Sequence, residues 1–106
     1  MVFVESSLFS RLLGEHLSDD DYRLLQTYLS ERPDAGSIIK QSGGVRKVRW
    51  RIGGTGKSGG VRVIYYWLRD DAQIFFLTIY AKNEKENLSS ADLKRIVQLV
   101  KEIKHG

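Results

Sequence analysis

Arg46, Lys47, Arg49, Arg51, Lys57 and Arg62, followed later by Tyr80 and Lys82, are the side chains of this sequence best suited to act on an anion. The six cations lie in a stretch, residues 35–69, that carries eight Lys and Arg residues and not one Asp or Glu. The chain before it is net acidic and the chain after it is balanced, so the whole formal charge of +4 originates here. Clustered cations without local counterions repel one another unless a polyanion pairs with them, which points to nucleic acid. A merely solvated basic face is the plain alternative. Against it, Lys47, Arg49 and Arg51 alternate along one run, and aromatic residues follow in the next.

Other chemistries find little support. The two histidines, His16 and His105, are far apart in sequence and belong to no ligand-spaced cluster, and there is no Cys for a thiolate metal site. No strand-turn-helix elbow surrounds a Ser, and the middle of the chain lacks the carboxylates that paired-acid glycosidase chemistry uses. The run Gly53-Gly54-Thr55-Gly56-Lys57-Ser58-Gly59-Gly60 contains Gly-Lys-Ser, yet Arg51 stands where a P-loop needs its first Gly, and a strand pattern rather than a helix follows. It reads as a hairpin loop whose glycines allow close backbone approach to a phosphate.

Cations and a phenol can still cleave RNA. The 2′-hydroxyl attacks its own phosphate, so a site must align the nucleotide, relieve charge on the phosphorane-like transition state and move two protons. Guanidinium groups meet phosphate oxygens in bidentate fashion. A Lys crowded by other cations has its pKa pushed down and can act as a base, while Tyr can donate a proton or stack on a base.

The elements that must position these groups are legible. Val2 to Val4 reads as a short strand. Ser6 or Ser7 caps a helix with Leu8, Phe9, Leu12 and Leu13 on one side, weakened at Gly14. Ser18 caps a second helix; Asp19 to Asp21 complement its positive end, Leu17 and Tyr22 form a staple, Leu25 and Leu29 continue the buried stripe, and Pro33 ends it. Val45 to Ile52 alternates, with Val48, Trp50 and Ile52 on one face and Lys47, Arg49 and Arg51 on the other. Val61 to Leu68 and Ile74 to Ala81 are apolar on both sides, as central strands are, with Asp70-Asp71 as a tight turn between them. Tyr65, Tyr66 and Trp67 are expected to pack in the sheet, and Trp50 to be buried. Ser89 and Asp92 cap a last helix with Leu88 and Leu93 as staple and Leu93, Ile96, Val97, Val100 and Ile103 as stripe.

The expectation is therefore a single α+β domain over residues 1–106, a small antiparallel sheet with two N-terminal helices and one C-terminal helix. Its 42% hydrophobic and 28% charged composition suits one modest core. The lack of Cys fits a reducing cytoplasm, and the N-terminal residues show neither signal peptide nor membrane span.

Three runs carry a resemblance: Gly43-Gly44-Val45-Arg46-Lys47-Val48-Arg49-Trp50, then Gly56-Lys57-Ser58-Gly59-Gly60-Val61-Arg62-Val63-Ile64-Tyr65-Tyr66, then Ile79-Tyr80-Ala81-Lys82-Asn83-Glu84-Lys85. Together they resemble the RelE superfamily, specifically its HigB-type toxins, over nearly the whole chain. The resemblance implies a cytoplasmic toxin of a type II toxin-antitoxin system, a metal-independent, cofactor-free endoribonuclease that cuts messenger RNA in the ribosomal A site. It also implies a cognate HigA-like antitoxin as partner, and no membrane association or sequence-specific DNA binding by the toxin alone. Carried over by position, Arg62 matches a phosphate-holding Arg, Lys57 and Lys82 are catalytic candidates, and Arg46, Lys47, Arg49 and Arg51 are RNA-binding candidates. The longer hairpin loop loosens the match at Arg51 and Lys57. The last helix has no Tyr, so Tyr80 stands as proton donor by proximity. Two further readings stay open: a ParE-like gyrase poison on the same fold, against which the cation-rich strand argues, and a non-catalytic RNA-binding module.

Overall fold

The computed structural model describes residues 1–51, 60–82, 84 and 87–105, in the order β1 (Val2–Glu5), α1 (Ser7–His16), α2 (Asp19–Glu31), β2 (Ser37–Ile38), β3 (Val45–Trp50), β4 (Val61–Leu68), β5 (Gln73–Ala81) and α3 (Ser90–His105). The strands form one sheet in the order β1-β5-β4-β3-β2, antiparallel except for β1, which runs parallel to β5. This is the expected α+β arrangement with two additions. The first strand reaches Glu5 and closes one edge, and the two-residue β2 pairs with Arg46 and Lys47 at the other. So short a strand leaves no periodicity to read.

Caps set the helices. The Ser6 hydroxyl accepts from the Phe9 N–H and the Ser18 hydroxyl from the Asp21 N–H, satisfying amides that have no partner inside the helix. α1 continues past Gly14 to His16, because Phe9, Leu12 and Leu13 pack into the core and offset the weak helix propensity of one glycine. At the start of α3 the Asp92 N–H donates to the Ser89 hydroxyl, as expected of that pair. At its end the Lys104 ammonium donates to the Gly43 carbonyl and lies over the Tyr66 ring, tying the last turn to the sheet.

The sheet is covered on both faces. Against α1 and α2 it packs Val48, Val61, Val63, Tyr65, Ile74, Phe76 and Ile79 with Phe9, Leu25 and Leu29. Against α3 it packs Val45, Ile64, Tyr66, Leu77 and Tyr80 with Ile96 and Val100. Phe76 lies at the centre of the first core, stacked on Phe9 at 4.8 Å between centroids and on Phe3 at 5.7 Å, with Tyr22 edge-on. Tyr65 is fully buried, donating to the Pro33 carbonyl and accepting from the Gly36 N–H, so it fastens the end of α2 to the sheet. Trp50, expected buried, is only partly so, against Tyr28 near the sheet's edge.

One irregularity matters for function. Ile64 faces Thr78 but Tyr65 faces Phe76, so Leu77 has no partner on β4 and forms a bulge. Alternation along β5 changes phase there. Phe76 and Ile79, three residues apart, both face α1 and α2, while Leu77 and Tyr80 both face α3.

Candidate nucleic-acid interface

β3 alternates as its sequence requires. Val48 and Trp50 join the α1–α2 core, so Lys47 and Arg49 share the α3 face with Val45. Across the sheet Arg49 faces Arg62 on β4, and Arg62 faces Tyr80 on β5. Residues directly opposite on neighbouring strands share a face with their Cβ atoms about 5 Å apart, and like charges so placed destabilise a sheet. Two arginines in register, with a phenol completing the row, set two cationic groups and one proton-bearing group in line across the sheet. The phase change at Leu77 is what brings Tyr80 onto this face.

The row is graded in depth. Arg49 is exposed, whereas Arg62 is 5% exposed and Tyr80 4%. Holding a guanidinium that deep carries a desolvation cost that an aliphatic residue in a central strand would avoid. Burial raises the Tyr80 pKa above its ordinary value, and the charge of Arg62 partly offsets this. The phenol therefore keeps its proton at neutral pH, burial makes it a weaker acid, and the neighbouring Arg62 charge works in the direction that would help it give the proton up.

The remaining candidates disperse around this row. Lys47 lies on the same face, half-buried, its ammonium donating to the Asn87 side-chain oxygen at 3.2 Å. Arg51 follows β3 and is exposed. Lys82 is exposed just beyond β5, its backbone N–H donating to the Gly60 carbonyl, beside the start of the strand that bears Arg62. Arg46 does not join the row. It belongs to the opposite face of β3, and its guanidinium is spent on the Asp34 and Gly36 carbonyls at 3.2 and 2.8 Å, which gives it a structural task. Lys57 lies outside the described residues. Gly60, immediately before β4, has φ +63 and sits so close to the Trp50 carbonyl that no side chain fits.

Sequence reasoning missed what adjoins Tyr80 on its other side. A groove of about 360 Å³ between α1 and α3 is bordered by His16, Glu84, Asp92 and Arg95. Asp92 was legible only as part of a cap and Arg95 only as outer helix surface. Neither residue's spacing indicates a shared cavity with α1, which tertiary packing alone creates. Among the described residues, no three of His, Cys, Asp or Glu gather as a metal ion would require, and no helix is long and apolar enough to cross a membrane.

The family described as the RelE toxin of the RelE/RelB toxin-antitoxin system matches residues 7–105. Among solved structures, a mutant of the E. coli toxin RelE in the free state is 16% identical with a TM-score of 0.56, over 93% of this chain and 96% of that one. The isolated E. coli RelE toxin is 13% identical with a TM-score of 0.57, over 92% of this chain and 97% of that one. At such identity these likenesses concern the fold.

Proposed function

Since the chain belongs to the RelE toxin family, we propose that it is the toxin of a type II toxin-antitoxin pair, acting as a ribosome-dependent endoribonuclease on messenger RNA. The observation that carries this reading is the Arg49–Arg62–Tyr80 row. Arg62 and the exposed Arg49 supply positive charge where the transferring phosphate accumulates negative charge, and Tyr80, protonated at neutral pH, supplies a proton whose release the Arg62 charge favours against the effect of burial. Lys47, Arg51 and Lys82 draw the RNA backbone to the same part of the sheet, and Lys57 is kept as a further catalytic candidate from the sequence. The chemistry asks for neither metal nor cofactor.

The HigB-type motif runs support a HigA-like antitoxin as cognate partner, which would neutralise the toxin by covering or distorting the cationic region. Because the site needs an ordered target strand, cleavage depends on the ribosome to present the message.

Mapping of 5′ ends on messenger RNA after brief expression, with translation running and with translation blocked, tests the reading. Cuts confined to translated regions are expected. Intact messages alongside lost supercoiling activity of gyrase would move the chain to the gyrase-poison class, and ribosome binding without cuts would make it a non-catalytic RNA-binding module.

A further inference from the structure

At the end of β3 the α1–α2 core runs out before its aromatic residues do. β2 pairs with Arg46 and Lys47 only, so from Val48 to Trp50 no strand among the described residues covers the outer edge of the sheet. Two cavities follow that edge. One, of about 650 Å³, is bordered by Tyr28, Ile38, Lys47 and Arg49 among others, and one, of about 260 Å³, by Tyr28, Arg49, Trp50 and Arg51. Tyr28 and Arg49 border both, so the two adjoin and make one trough past the end of the strand.

The rings in this trough are only half-buried. Tyr28 and Trp50 lie 5.5 Å apart between centroids and meet at 43°, so neither ring covers the other face to face. The Trp50 indole N–H is buried without a hydrogen-bond partner, a cost that a phenylalanine at the same place would avoid. Since that donor is out of reach, what the indole offers a ligand is the breadth of its π face.

The charges around the rings select the occupant. Lys47, Arg49 and Arg51 border the trough, and among the described residues no carboxylate does. Single-stranded nucleic acid uses this combination: its backbone meets the cations while a base stacks on a ring or on a guanidinium plane. A purely apolar ligand would leave the cations unmatched. An acidic peptide strand added to the open edge would engage the cations and leave the rings idle.

We propose that Tyr28 and Trp50, with Arg51 beside them, form a base-stacking platform for the RNA whose phosphate lies at the Arg49–Arg62 row. The assignment of the RNA rests on the function proposed above. Arg49 is common to both places, facing Arg62 across the sheet and bordering the trough at the edge. Because that edge is open, the RNA passes from the row on one face of β3 to the rings on the other. Stacking reads no base edge, so the platform orders the strand without fixing its sequence.

The test is an NMR titration of the full chain carrying ¹⁵N-labelled tryptophan. Its two indole signals report Trp50, which faces the start of β4, and Trp67, near the end of that strand. The ligands, all at low salt, are a 2′-O-methyl RNA hexamer, which lacks the attacking hydroxyl, its abasic counterpart, inorganic phosphate and an oligoglutamate peptide. The hexamer should shift the Trp50 signal and leave Trp67 in place, while the abasic chain should bind about tenfold more weakly and leave Trp50 unmoved. Trp50→Leu should bring hexamer binding down to that of the abasic chain; where that variant does not fold, the signals of the unaltered chain decide by themselves. No binding of the hexamer, equal binding of the hexamer and the abasic chain, a Trp50 signal that stays still while the hexamer binds, or a Trp50 shift with phosphate alone would overturn the proposal. So would a Trp50 shift with the peptide and not with the hexamer, which would give the edge to an added protein strand. Mapping of cut sites separates the two claims. Cleavage by a chain whose Trp50 ignores the hexamer removes the platform and keeps the nuclease. A Trp50 shift in a chain that cuts no message keeps the platform and removes the nuclease.

Discussion

The two faces of the sheet are built to different rules. The face under α1 and α2 is aromatic, with Phe76 in ring contact with Phe3, Phe9 and Tyr22, and the cation that β3 sends to it, Arg46, is taken up by the Asp34 and Gly36 carbonyls. The face under α3 has its own apolar patch around Ile64, Leu77 and Val100, with Lys47 opposite Ile64 at its edge, and then gives way to the Arg49–Arg62 pair. The first face can be optimised for packing alone, so substitutions there should register as lost stability. The second keeps groups that packing would not choose, so substitutions there should register as lost action on the target with the fold intact.

The largest effect is expected from Phe76→Ala, which removes the ring shared by three aromatic contacts. It should destabilise the chain by about 3–5 kcal/mol in urea unfolding, and a loss below 1 kcal/mol would contradict the division between the faces. Arg62→Ala should leave the folded circular dichroism spectrum in place while lowering cleavage in a translation extract by about 10²–10³-fold. Full growth arrest by both Arg62→Ala and Lys82→Ala would remove the row from the mechanism.

Smaller effects sharpen the same contrast. Tyr65→Phe deletes the hydroxyl that serves Pro33 and Gly36, leaving buried backbone groups unmatched, and should cost about 1–3 kcal/mol without changing the pattern of cuts. Tyr22, Tyr65, Tyr66 and Tyr80 all have pKa values raised above the ordinary 10.0, in each case chiefly by burial. The unfolded chain therefore gives up these protons first. Their contribution to stability is complete below the unfolded value and is lost as pH rises through the raised folded values. The urea midpoint should fall steadily above about pH 10, and a midpoint flat across the alkaline range would contradict the burial of these phenols. Gly14→Ala has open space around the new methyl group within α1 and should raise stability by about 0.5–1 kcal/mol without changing cleavage.

How far the sequence carried depended on the range of the interactions involved. Helices announced by a cap, a staple and an apolar stripe began where Ser6, Ser18 and Ser89 placed them. β4 kept the limits Val61 and Leu68 read from its apolar run. The alternation in β3 correctly put Lys47 and Arg49 on the face opposite Val48 and Trp50. What stayed hidden was set between segments distant along the chain. The capture of Arg46 by the carbonyls of Asp34 and Gly36 needs the turn after α2 to fold back against β3. The register that sets Arg49, Arg62 and Tyr80 side by side needs three strands to align. Strict alternation from Phe76 would have sent Tyr80 to the wrong side, and no residue type in Phe76-Leu77-Thr78 marks the extra position.

That extra position at Leu77 makes the length of the segment between Phe76 and Tyr80 as consequential as its composition. Removing Leu77 would excise the bulge and leave the register on either side intact, so Tyr80 would stay opposite Arg62, whereas straightening the strand with every residue kept would turn the phenol inward among the aromatic rings and set Ile79 beside the guanidinium. In that straightened form the chain would keep its strands, its helices and its whole sequence, yet it would be chemically blank. Relatives of this protein should therefore carry the phenol four residues after the position of Phe76 where the bulge is kept and three residues after it where the bulge is lost.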